Sequence, residues 1–397
     1  MYRTICHSQG VNTETLACHA GREDFSELTV HAPPLDFSST YPLRDLDEAT
    51  AAFDALAEGA APTGTNPVYA RLHNPTVRRF ETALAELEGT VDAVAFASGM
   101  AALTATLLAA CEERRHVVAL RPLYGGSDHL LACGLLGLEV TWARSEGDVA
   151  GARRRDTGVV LLETPQNPTL GVVDIAAVVS SAGDVPVLVD NTFATPILQN
   201  PAAHGAAYVL HSATKFLGGH GDVVAGVVAT SSERASRLRQ VRILTGAILH
   251  PMGAYLLHRS LPTLPLRVRA AQQSAGVLAP RLAAHSAVER VLYPRPDGVQ
   301  LRGAGAILSF EVAGGLEAAS EVMGAVNLVT PAVSLGSTDT LIQHPAGLTH
   351  RLLDPHVRSD LGITDGLLRL SVGLEDAEDL WDDLAHALAA TRVRVAA

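Results

Sequence analysis

The stretch YVLHSATKFLGGHGDVVAGVVAT (208–230) decides the fold and places its chemistry. Two valine-containing apolar runs flank a polar segment with glycines, hydroxyl side chains and Lys215. Similar runs occur upstream, at VVAL (117–120), VVLLE (159–163) and PVLVD (186–190). Continuous β-branched runs of this kind are typical of strands that are buried on both faces. Because helical or loop stretches separate them, the pattern predicts a parallel α/β sheet.

Polar residues follow three of these predicted strands, at 163–167, 190–192 and 212–215. In parallel α/β sheets, ligands bind beyond the carboxyl ends of the strands. We therefore expect a ligand site at this edge of the sheet.

Lys215 is the only lysine among 30 basic residues, and the other 29 are arginines. An arginine-favouring coding bias would replace lysine wherever a solvated cation is sufficient. Arginine cannot act as a neutral amine nucleophile, because its pKa is too high. The surviving lysine therefore suggests amine chemistry such as a Schiff base, although chance retention would give the same count.

Asp190 ends the run PVLVD, about one βα unit before Lys215. An aspartate at this place can accept a proton from a pyridine nitrogen and so keep an aromatic ring electron-poor. The alternative is a turn or helix N-cap residue, since Asp-Asn-Thr is good turn chemistry. The nearby lysine favours the cofactor interpretation.

A phosphate could bind where Ser98-Gly99-Met100 opens a helix after a strand, because free N–H groups and the helix dipole attract anions. Ser212 and Thr214, on either side of Ala213, add hydroxyls. Tyr124 follows another predicted strand and could stack on an aromatic ring. Each of these motifs is common on its own, and an ordinary half-buried tyrosine is an equal alternative.

Composition excludes several classes of protein. The 397 residues are 47% apolar and 18% charged, enough for a large buried core. The net charge of −12 argues against nucleic acid or an anionic membrane surface as the main partner. Four cysteines without CxxC spacing fit neither a disulfide scaffold nor a zinc site, and 16 histidines show no metal-ligand spacing. With no signal core and no long apolar run, we expect a cytoplasmic protein without a metal.

The chain divides into three parts in this interpretation. Residues 1–65 look like an arm, 66–255 carry the predicted sheet, and 256–397 form a second, smaller α/β unit. A helix is predicted over 75–89, where Gly89 closes an apolar period. The second unit has strand candidates at 306–312 and 367–376.

Longer motifs together resemble a known family, the pyridoxal-phosphate (PLP)-dependent enzymes of cysteine and methionine metabolism. The resemblance implies the aspartate-aminotransferase-like fold, type I among PLP enzymes. This fold has a large PLP-binding domain with a mainly parallel seven-stranded sheet and a smaller C-terminal α/β domain. The similarity extends from about Thr13 to the last helix. The motifs that carry it are YARLHNPT (69–76), ASGMAA (97–102), ETPQNP (163–168), VDNTFATP (189–196), HSATKFLGGHGD (211–222), SLGSTDTLIQHPAGLTH (334–350) and LLRLSVGLED (367–376).

The family's roles transfer to matching positions of this chain. The resemblance implies that Lys215 binds PLP covalently and later moves protons, and that Asp190 pairs with the pyridine nitrogen. Tyr124 would stack on the ring and assist proton transfer. The phosphate would bind to the amides of Gly99 and Met100 and to the hydroxyls of Ser212 and Thr214.

The remaining roles concern the substrate and the neighbouring subunit. Arg369 would bind the substrate carboxylate as a bidentate fork, with Ser334 and Asn167. Tyr69 and Arg71 would complete the phosphate site of a neighbouring subunit, which the arm would also contact. The resemblance thus implies a homotetramer, a dimer of dimers with shared sites.

Within the family, two reactions stay open. The first is γ-elimination from a sulfur amino acid, which gives a thiol, ammonia and a 2-oxo acid. The second is γ-replacement on an O-activated homoserine. The motifs look most like methionine γ-lyases and their cystathionine-cleaving relatives, so we expect a carbon–sulfur lyase. A non-catalytic protein on the same fold is a third, weaker alternative, because the catalytic set is complete.

Several positions depart from the expected patterns. Methionine γ-lyases carry a cysteine where this chain has Gly126, and a Lys-Asp pair where it has Arg242 and Ile243. Enzymes that handle cystathionine often have an acidic residue where this chain has Val333. The segment 291–310 is also shorter than is usual.

Overall fold

A seven-stranded sheet forms the centre of the large unit, in the strand order β1-β7-β6-β5-β4-β2-β3. The computed structural model describes residues 11–60 and 66–395. Strands β2 to β6 are parallel, and β7 runs antiparallel to both of its neighbours. The sheet is therefore mainly parallel, as predicted. Its strands are β1 (Asp92–Phe96), β2 (His116–Leu120), β3 (Glu139–Ala143), β4 (Thr157–Glu163), β5 (Val187–Asp190), β6 (Tyr208–His211) and β7 (Gly226–Thr230).

Both faces of this sheet are buried. Alternate residues of one strand belong to different apolar clusters: Val117 and Ala119 pack in one, Val118 and Leu120 in another. This explains why the strands read as continuous apolar runs rather than as alternating ones. The accompanying helices are α4 (Pro75–Glu88), α5 (Gly99–Ala110), α6 (Gly125–Ala132), α7 (Val149–Ala152), α8 (Ile175–Ala182), α9 (Thr195–Leu198), α10 (Ser232–Thr245) and α11 (Pro251–Ser260).

Helix α4 shows how the local sequence sets its ends. The Asn74 side chain accepts hydrogen bonds from the N–H groups of Thr76 and Val77, and Pro75 fits the first turn. Gly89 closes the helix with φ +68°, a left-handed conformation that favours glycine. The predicted helix over 75–89 is confirmed.

Three short helices precede the large unit: α1 (Thr13–His19), α2 (Phe25–Leu28) and α3 (Leu46–Ala57). Leu16 and Ala17 of α1 are buried in the same apolar cluster as Phe80 of α4 and Leu257 of α11. The arm is thus anchored on its own subunit at this point. Its contact with a neighbouring subunit stays a prediction, as do the domain limits at 65 and 255.

The C-terminal unit contains a five-stranded sheet in the order β10-β11-β12-β9-β8, which is antiparallel except for the β10–β11 pair. Helix α12 connects the two units, because Leu264 packs in the core of the large unit and Leu278 in that of the C-terminal one. The elements are α12 (Leu264–Ala284), β8 (Val288–Leu292), β9 (Ile307–Val312), α13 (Gly315–Ala325), β10 (Thr330–Pro331), β11 (Leu341–Gln343), α14 (Pro355–Asp360), β12 (Leu367–Ser371) and α15 (Ala377–Val395). No helix within the described ranges is long and apolar enough to cross a membrane.

Candidate active site

The predicted ligand edge of the sheet opens into a cavity of about 400 Å³. Its volume is in the range of small-molecule sites. The cavity brings together ten of the twelve residues that the sequence singled out: Gly99, Met100, Tyr124, Asn167, Asp190, Ser212, Thr214, Lys215, Ser334 and Arg369.

Lys215 lies just after β6, where the chain leaves the sheet. Its Nζ donates a hydrogen bond to Ser334 Oγ at 2.7 Å. Burial, together with the positive charge of Arg369, lowers the pKa of the Lys215 amine to about 8. A much larger share of this amine is therefore neutral near pH 7–8 than for an exposed lysine, as nucleophilic attack on an aldehyde requires.

Two carboxyl groups lie side by side at the ends of β4 and β5, where Glu163 and Asp190 are paired in register. Thr192 donates to Asp190 Oδ1 from its backbone N–H at 3.0 Å and from its hydroxyl at 2.5 Å. Burial raises the pKa of Asp190, and the Thr192 hydrogen bonds and the nearby His211 oppose that rise. Burial and the charge of Asp190 raise the pKa of Glu163 well above its ordinary value. We therefore assign the proton of this pair to Glu163 and the negative charge to Asp190.

Glu163 also positions Tyr124, because its Oε2 accepts a hydrogen bond from the Tyr124 backbone N–H at 2.7 Å. The Tyr124 side chain lines the cavity and is 37% exposed. Its ring lies over Gly126, where an added Cβ would come within 2.5 Å of Tyr124 Cε1. Gly126 thus leaves room for the ring at a position where a cysteine would compete with it.

The N-terminus of α5 also lines the cavity. Ser98 caps this helix by accepting a hydrogen bond from the Ala101 N–H. A Cβ at Gly99 would lie only 2.9 Å from Ser212 Cβ, so glycine is needed for this close approach. The Thr214 hydroxyl is already paired with the backbone of Ala225, donating to its carbonyl at 3.1 Å and accepting from its N–H at 2.9 Å.

Arg369 lies on β12 of the C-terminal sheet and is 2% exposed. Its Nη1 donates to Asn167 Oδ1 and its Nη2 to the Ser334 carbonyl oxygen, both at 2.9 Å. The Nε–H has no hydrogen-bond partner among the described residues. A buried donor of this kind needs an acceptor, and a substrate carboxylate in the cavity would supply one. Asn167, Ser334 and Arg369 are thus brought together as predicted.

Tyr69 and Arg71 lie outside the cavity. Tyr69 is 45% exposed, and the Arg71 guanidinium lies over its ring, 5.6 Å from the ring centre. Arg71 Nη1 donates to the Ile243 carbonyl oxygen at 2.8 Å. Their role in the phosphate site of a neighbouring subunit stays a prediction.

Sequence reasoning gave no role to several residues that line the cavity. Glu163 and Thr192 were recognised only as polar residues at strand ends, although both shape the surroundings of Asp190. Phe193, whose ring faces the Arg369 guanidinium at 5.7 Å, was not singled out. No metal-binding group of His, Cys, Asp or Glu occurs within residues 11–60 and 66–395.

PLP fits these residues. Asp190 offers a carboxylate for a protonated pyridine nitrogen, Lys215 offers an amine for an aldehyde, and Gly99 opens a helix N-terminus that would receive a phosphate. A type I sheet with this lysine after a strand end defines the class, that of enzymes that bind PLP through a lysine.

The comparisons with known proteins narrow the class. The model of the family described as Cys/Met metabolism PLP-dependent enzyme matches residues 14–389. The chain belongs to this family. The predictions of the family, of the type I fold and of PLP as the cofactor are confirmed.

Named relatives are similar over nearly the full length. An L-methionine gamma-lyase of Streptomyces avermitilis is 58% identical over 382 residues, which cover 96% of this chain and 90% of that protein. One of Brevibacterium sandarakinum is 55% identical over 392 residues, covering 96% and 98%. These names agree with the predicted carbon–sulfur lyase.

Solved structures share the fold. A cystathionine gamma-lyase of Micromonospora echinospora superposes with a TM-score of 0.86 and 36% identity, covering 96% of this chain and 100% of that one. A cystathionine gamma synthase of Xanthomonas oryzae pv. oryzae, solved with aminoacrylate and cysteine, gives 0.86 and 33%, covering 96% and 99%.

Proposed function

We propose that this enzyme catalyses γ-elimination on L-methionine, giving methanethiol, ammonia and a 2-oxo acid. The observation that carries the proposal is the single cavity that joins Lys215, Asp190 and the unsatisfied donor of Arg369. An amino acid held there by its carboxylate would present its Cα–H to the only lysine of the chain. The names of the relatives support methionine as the substrate.

The chain's own residues divide the work. PLP, when bound, supplies an electron sink that acidifies the Cα–H of the substrate. Arg369 orients the substrate through its carboxylate, and Lys215 moves protons at Cα and Cβ. Asp190 keeps the pyridine nitrogen protonated. Tyr124, held by Glu163, would stack on the PLP ring and assist proton transfer.

Val333 favours methionine over cystathionine. It lines the cavity and is 56% exposed at its mouth. Cystathionine carries a second ammonium and carboxylate at its far end. The acidic and basic side chains among the described lining residues are Glu163, Asp190, Lys215 and Arg369, all of which have roles near PLP or the first carboxylate. An apolar wall suits a thioether methyl group better.

Arg242, which replaces the lysine of the usual Lys-Asp pair, has a structural partner here. It is buried, and its Nη1 donates to Glu81 Oε1 at 2.6 Å and to the Ala95 carbonyl oxygen at 3.0 Å. It therefore stabilises α4 and β1 rather than contacting the substrate.

The deciding experiment measures 2-oxo acid and thiol release from methionine, homocysteine, cystathionine, cysteine and O-acylhomoserines, each with and without an added thiol. We expect oxo acid and methanethiol in equal amounts from methionine, and none with Lys215→Ala. Oxo acid from an acylhomoserine that falls as a new thioether appears would instead establish γ-replacement.

A variant tests the role of Val333 directly. We expect Val333→Glu to shift the ratio of kcat/KM values toward cystathionine by about tenfold, because its carboxylate can pair with the distal ammonium. Val224→Glu, at another lining position, is the matched control. An unchanged ratio in Val333→Glu would contradict the assignment.

We also propose a homotetramer with shared sites and a cytoplasmic location. Exposed apolar side chains, among them Tyr69 (45% exposed), Phe37 (56%) and Leu244 (84%), support contact with a second copy. Cys18, Cys111 and Cys133 are free thiols, which supports a reducing compartment. Cys6 lies outside the described residues.

A further inference from the structure

Glu88 is a buried carboxylate for which the reaction described above has no use. It is the last residue of α4 and is 1% exposed. A negative charge is unfavourable at the C-terminus of a helix and in the protein interior. A carboxylate that is both buried and at a helix C-terminus needs hydrogen-bond donors, and the contacts of Glu88 identify them.

Glu88 binds the ends of the two strands that carry the cofactor site. Its Oε1 accepts hydrogen bonds from His211 Nε2 at 2.6 Å and from Asn191 Nδ2 at 3.0 Å. Asn191 follows Asp190 in the chain, and His211 precedes Ser212. Asp190 and Ser212 line the cavity. Their neighbours turn instead toward Glu88, as side chains alternate between the two faces of a sheet.

This contact extends into the C-terminal unit. Gln199 Nε2 donates to Asn191 Oδ1 at 2.9 Å, and Gln300 Nε2 donates to Gln199 Oε1 at 3.1 Å. Gln199 is fully buried and Gln300 is 5% exposed. Gln300 belongs to the shortened segment 291–310 and does not line the cavity. Through Gln300, this segment supports the strand ends on the side away from the cavity.

His211 also has an electrostatic relation to the site. It is 1% exposed, and its Nδ1 has no hydrogen-bond partner among the described residues. Its Nε2 contacts Glu88, and His211 is among the groups that oppose the rise in the pKa of Asp190. The other ionisable groups of this region are Glu163, which is paired in register with Asp190, and Arg302, whose burial lowers its own pKa while Glu88 opposes that fall.

We propose that Glu88 and His211 form a positioning pair, which fixes the ends of β5 and β6 so that Asp190 and Ser212 hold the ring nitrogen and phosphate of PLP. The proposal rests on PLP as the cofactor but not on the identity of the substrate. Neither residue touches the reacting atoms, so the pair should act on cofactor binding and on the spectrum of bound PLP.

His116 offers a matched control in the same sheet. It is fully buried at the start of β2, and its ring nitrogens pair with Thr157 Oγ1 at 2.8 Å and Thr141 Oγ1 at 2.9 Å. Because the cofactor site is at the carboxyl ends of the strands, a change at His116 should affect stability without affecting PLP.

The experiment measures the PLP dissociation constant, the pH midpoint of the visible PLP band and the apoenzyme melting temperature for Glu88→Gln, His211→Leu and His116→Gln. We expect the first two variants to weaken PLP binding about tenfold or more and to move the band's midpoint. His116→Gln should lower the melting temperature and leave both PLP readouts unchanged. The proposal would be overturned if Glu88→Gln and His211→Leu bound PLP as tightly as His116→Gln does.

Two further variants keep the test decisive if a variant does not fold. His211→Gln retains an N–H donor for Glu88 and should restore most of the PLP affinity that His211→Leu loses. Asn191→Leu removes the second contact alone and should weaken PLP binding. Wild-type enzyme that binds PLP but does not cleave methionine would count against the proposed function, and this pair would still be tested.

Discussion

Lys215 illustrates how one residue can carry most of the chemistry. Its amine lies in a buried cavity, bonded to Ser334 and repelled by Arg369. Burial alone disfavours the protonated form, and a neighbouring cation adds to this effect. The surroundings that disfavour a charged lysine therefore make its neutral amine available as a nucleophile.

The pH dependence of PLP attachment follows from this lowered pKa. Below about pH 8 the Lys215 amine is mostly protonated and cannot attack an aldehyde, so the attachment rate should rise with pH through about 8 and then level off. Arg369→Met should move the midpoint upward, because it removes a repelling charge. Stopped-flow absorbance of apoenzyme mixed with PLP measures both, and Lys215→Arg should give no covalent band. A midpoint near the ordinary lysine value of 10.5 would refute the argument.

Gly126 gives a second prediction at this scale. In Gly126→Ala the new Cβ would meet the Tyr124 ring at 2.5 Å, so the ring must shift. A displacement of about 1 Å in a catalytic group can reduce kcat/KM by roughly a hundredfold, and we expect a loss of about ten- to a hundredfold.

The control for this change is Gly276→Ala, in helix α12, where nothing lies within 4 Å of the added Cβ. It should leave kcat/KM unchanged and stabilise the fold by about 0.5–1 kcal/mol, as alanine does in helices. If Gly126→Ala behaves like Gly276→Ala, the ring does not depend on that space.

Single residues were predictable from the sequence where their chemistry is rare. Lys215 stands out by count, and Asp190 by its place after an apolar run. Glu88 and His211 were not predictable, because a glutamate at the end of a helix and a histidine in a strand are individually ordinary. Only the fold brings His211 Nε2 within 2.6 Å of Glu88 Oε1.

At the scale of elements, the active site is a set of strand ends. Strands β4, β5 and β6 stop at Glu163, Asp190 and His211, and the residues at or just after those ends line the cavity or support it. This follows from parallel strands, whose carboxyl ends meet at one edge. The motif spacing therefore predicted most of the site once the strands were recognised.

The sequence pattern missed a strand that is only partly buried, and it did not show where another strand begins. Strand β3 is exposed or half-buried over most of its length, and so lacks the continuous apolar run of its neighbours. Strand β7 covers only Gly226–Thr230, the second part of the apolar run VVAGVVAT (223–230). The Thr214 hydroxyl holds the backbone of Ala225 and keeps this part of the chain out of the ladder.

The junction of α5 with β6 carries a prediction of its own. Gly99→Ala would place a Cβ 2.9 Å from Ser212 Cβ and separate the helix N-terminus from the strand end. Because both sides contribute to the proposed phosphate site, we expect PLP affinity to fall by about tenfold or more. Equilibrium dialysis measures it, with Gly151→Ala, which has open space around its added Cβ, as the control. Unchanged affinity would place the phosphate elsewhere.

At the scale of the whole molecule, the site needs both units of one chain. Lys215 comes from the large sheet, and Arg369 and Ser334 come from the C-terminal unit. Helix α12 runs through both apolar cores, with Leu264 in one and Leu278 in the other. This helix therefore links the two units, and the link fixes the position of Arg369 relative to Lys215 across the cavity.

The proposed shared site leads to a test by mixing inactive subunits. Lys215→Ala lacks the amine, and Arg71→Ala would lack the arginine that a subunit provides to its neighbour. In a mixed dimer, one of the two sites combines an intact Lys215 with the intact Arg71 of the other subunit. Randomly mixed dimers should thus recover roughly one native site in four.

Lys215→Ala mixed with Arg369→Ala is the control for that experiment. Both residues line the cavity of the same chain, so every site in a mixed dimer keeps one defect and no activity should return. Methanethiol release after subunit exchange measures both mixtures. Recovery in the first mixture alone would require that Arg71 acts across a subunit boundary. Recovery in neither mixture would show that Arg71 acts within its own chain, through its contact with Ile243.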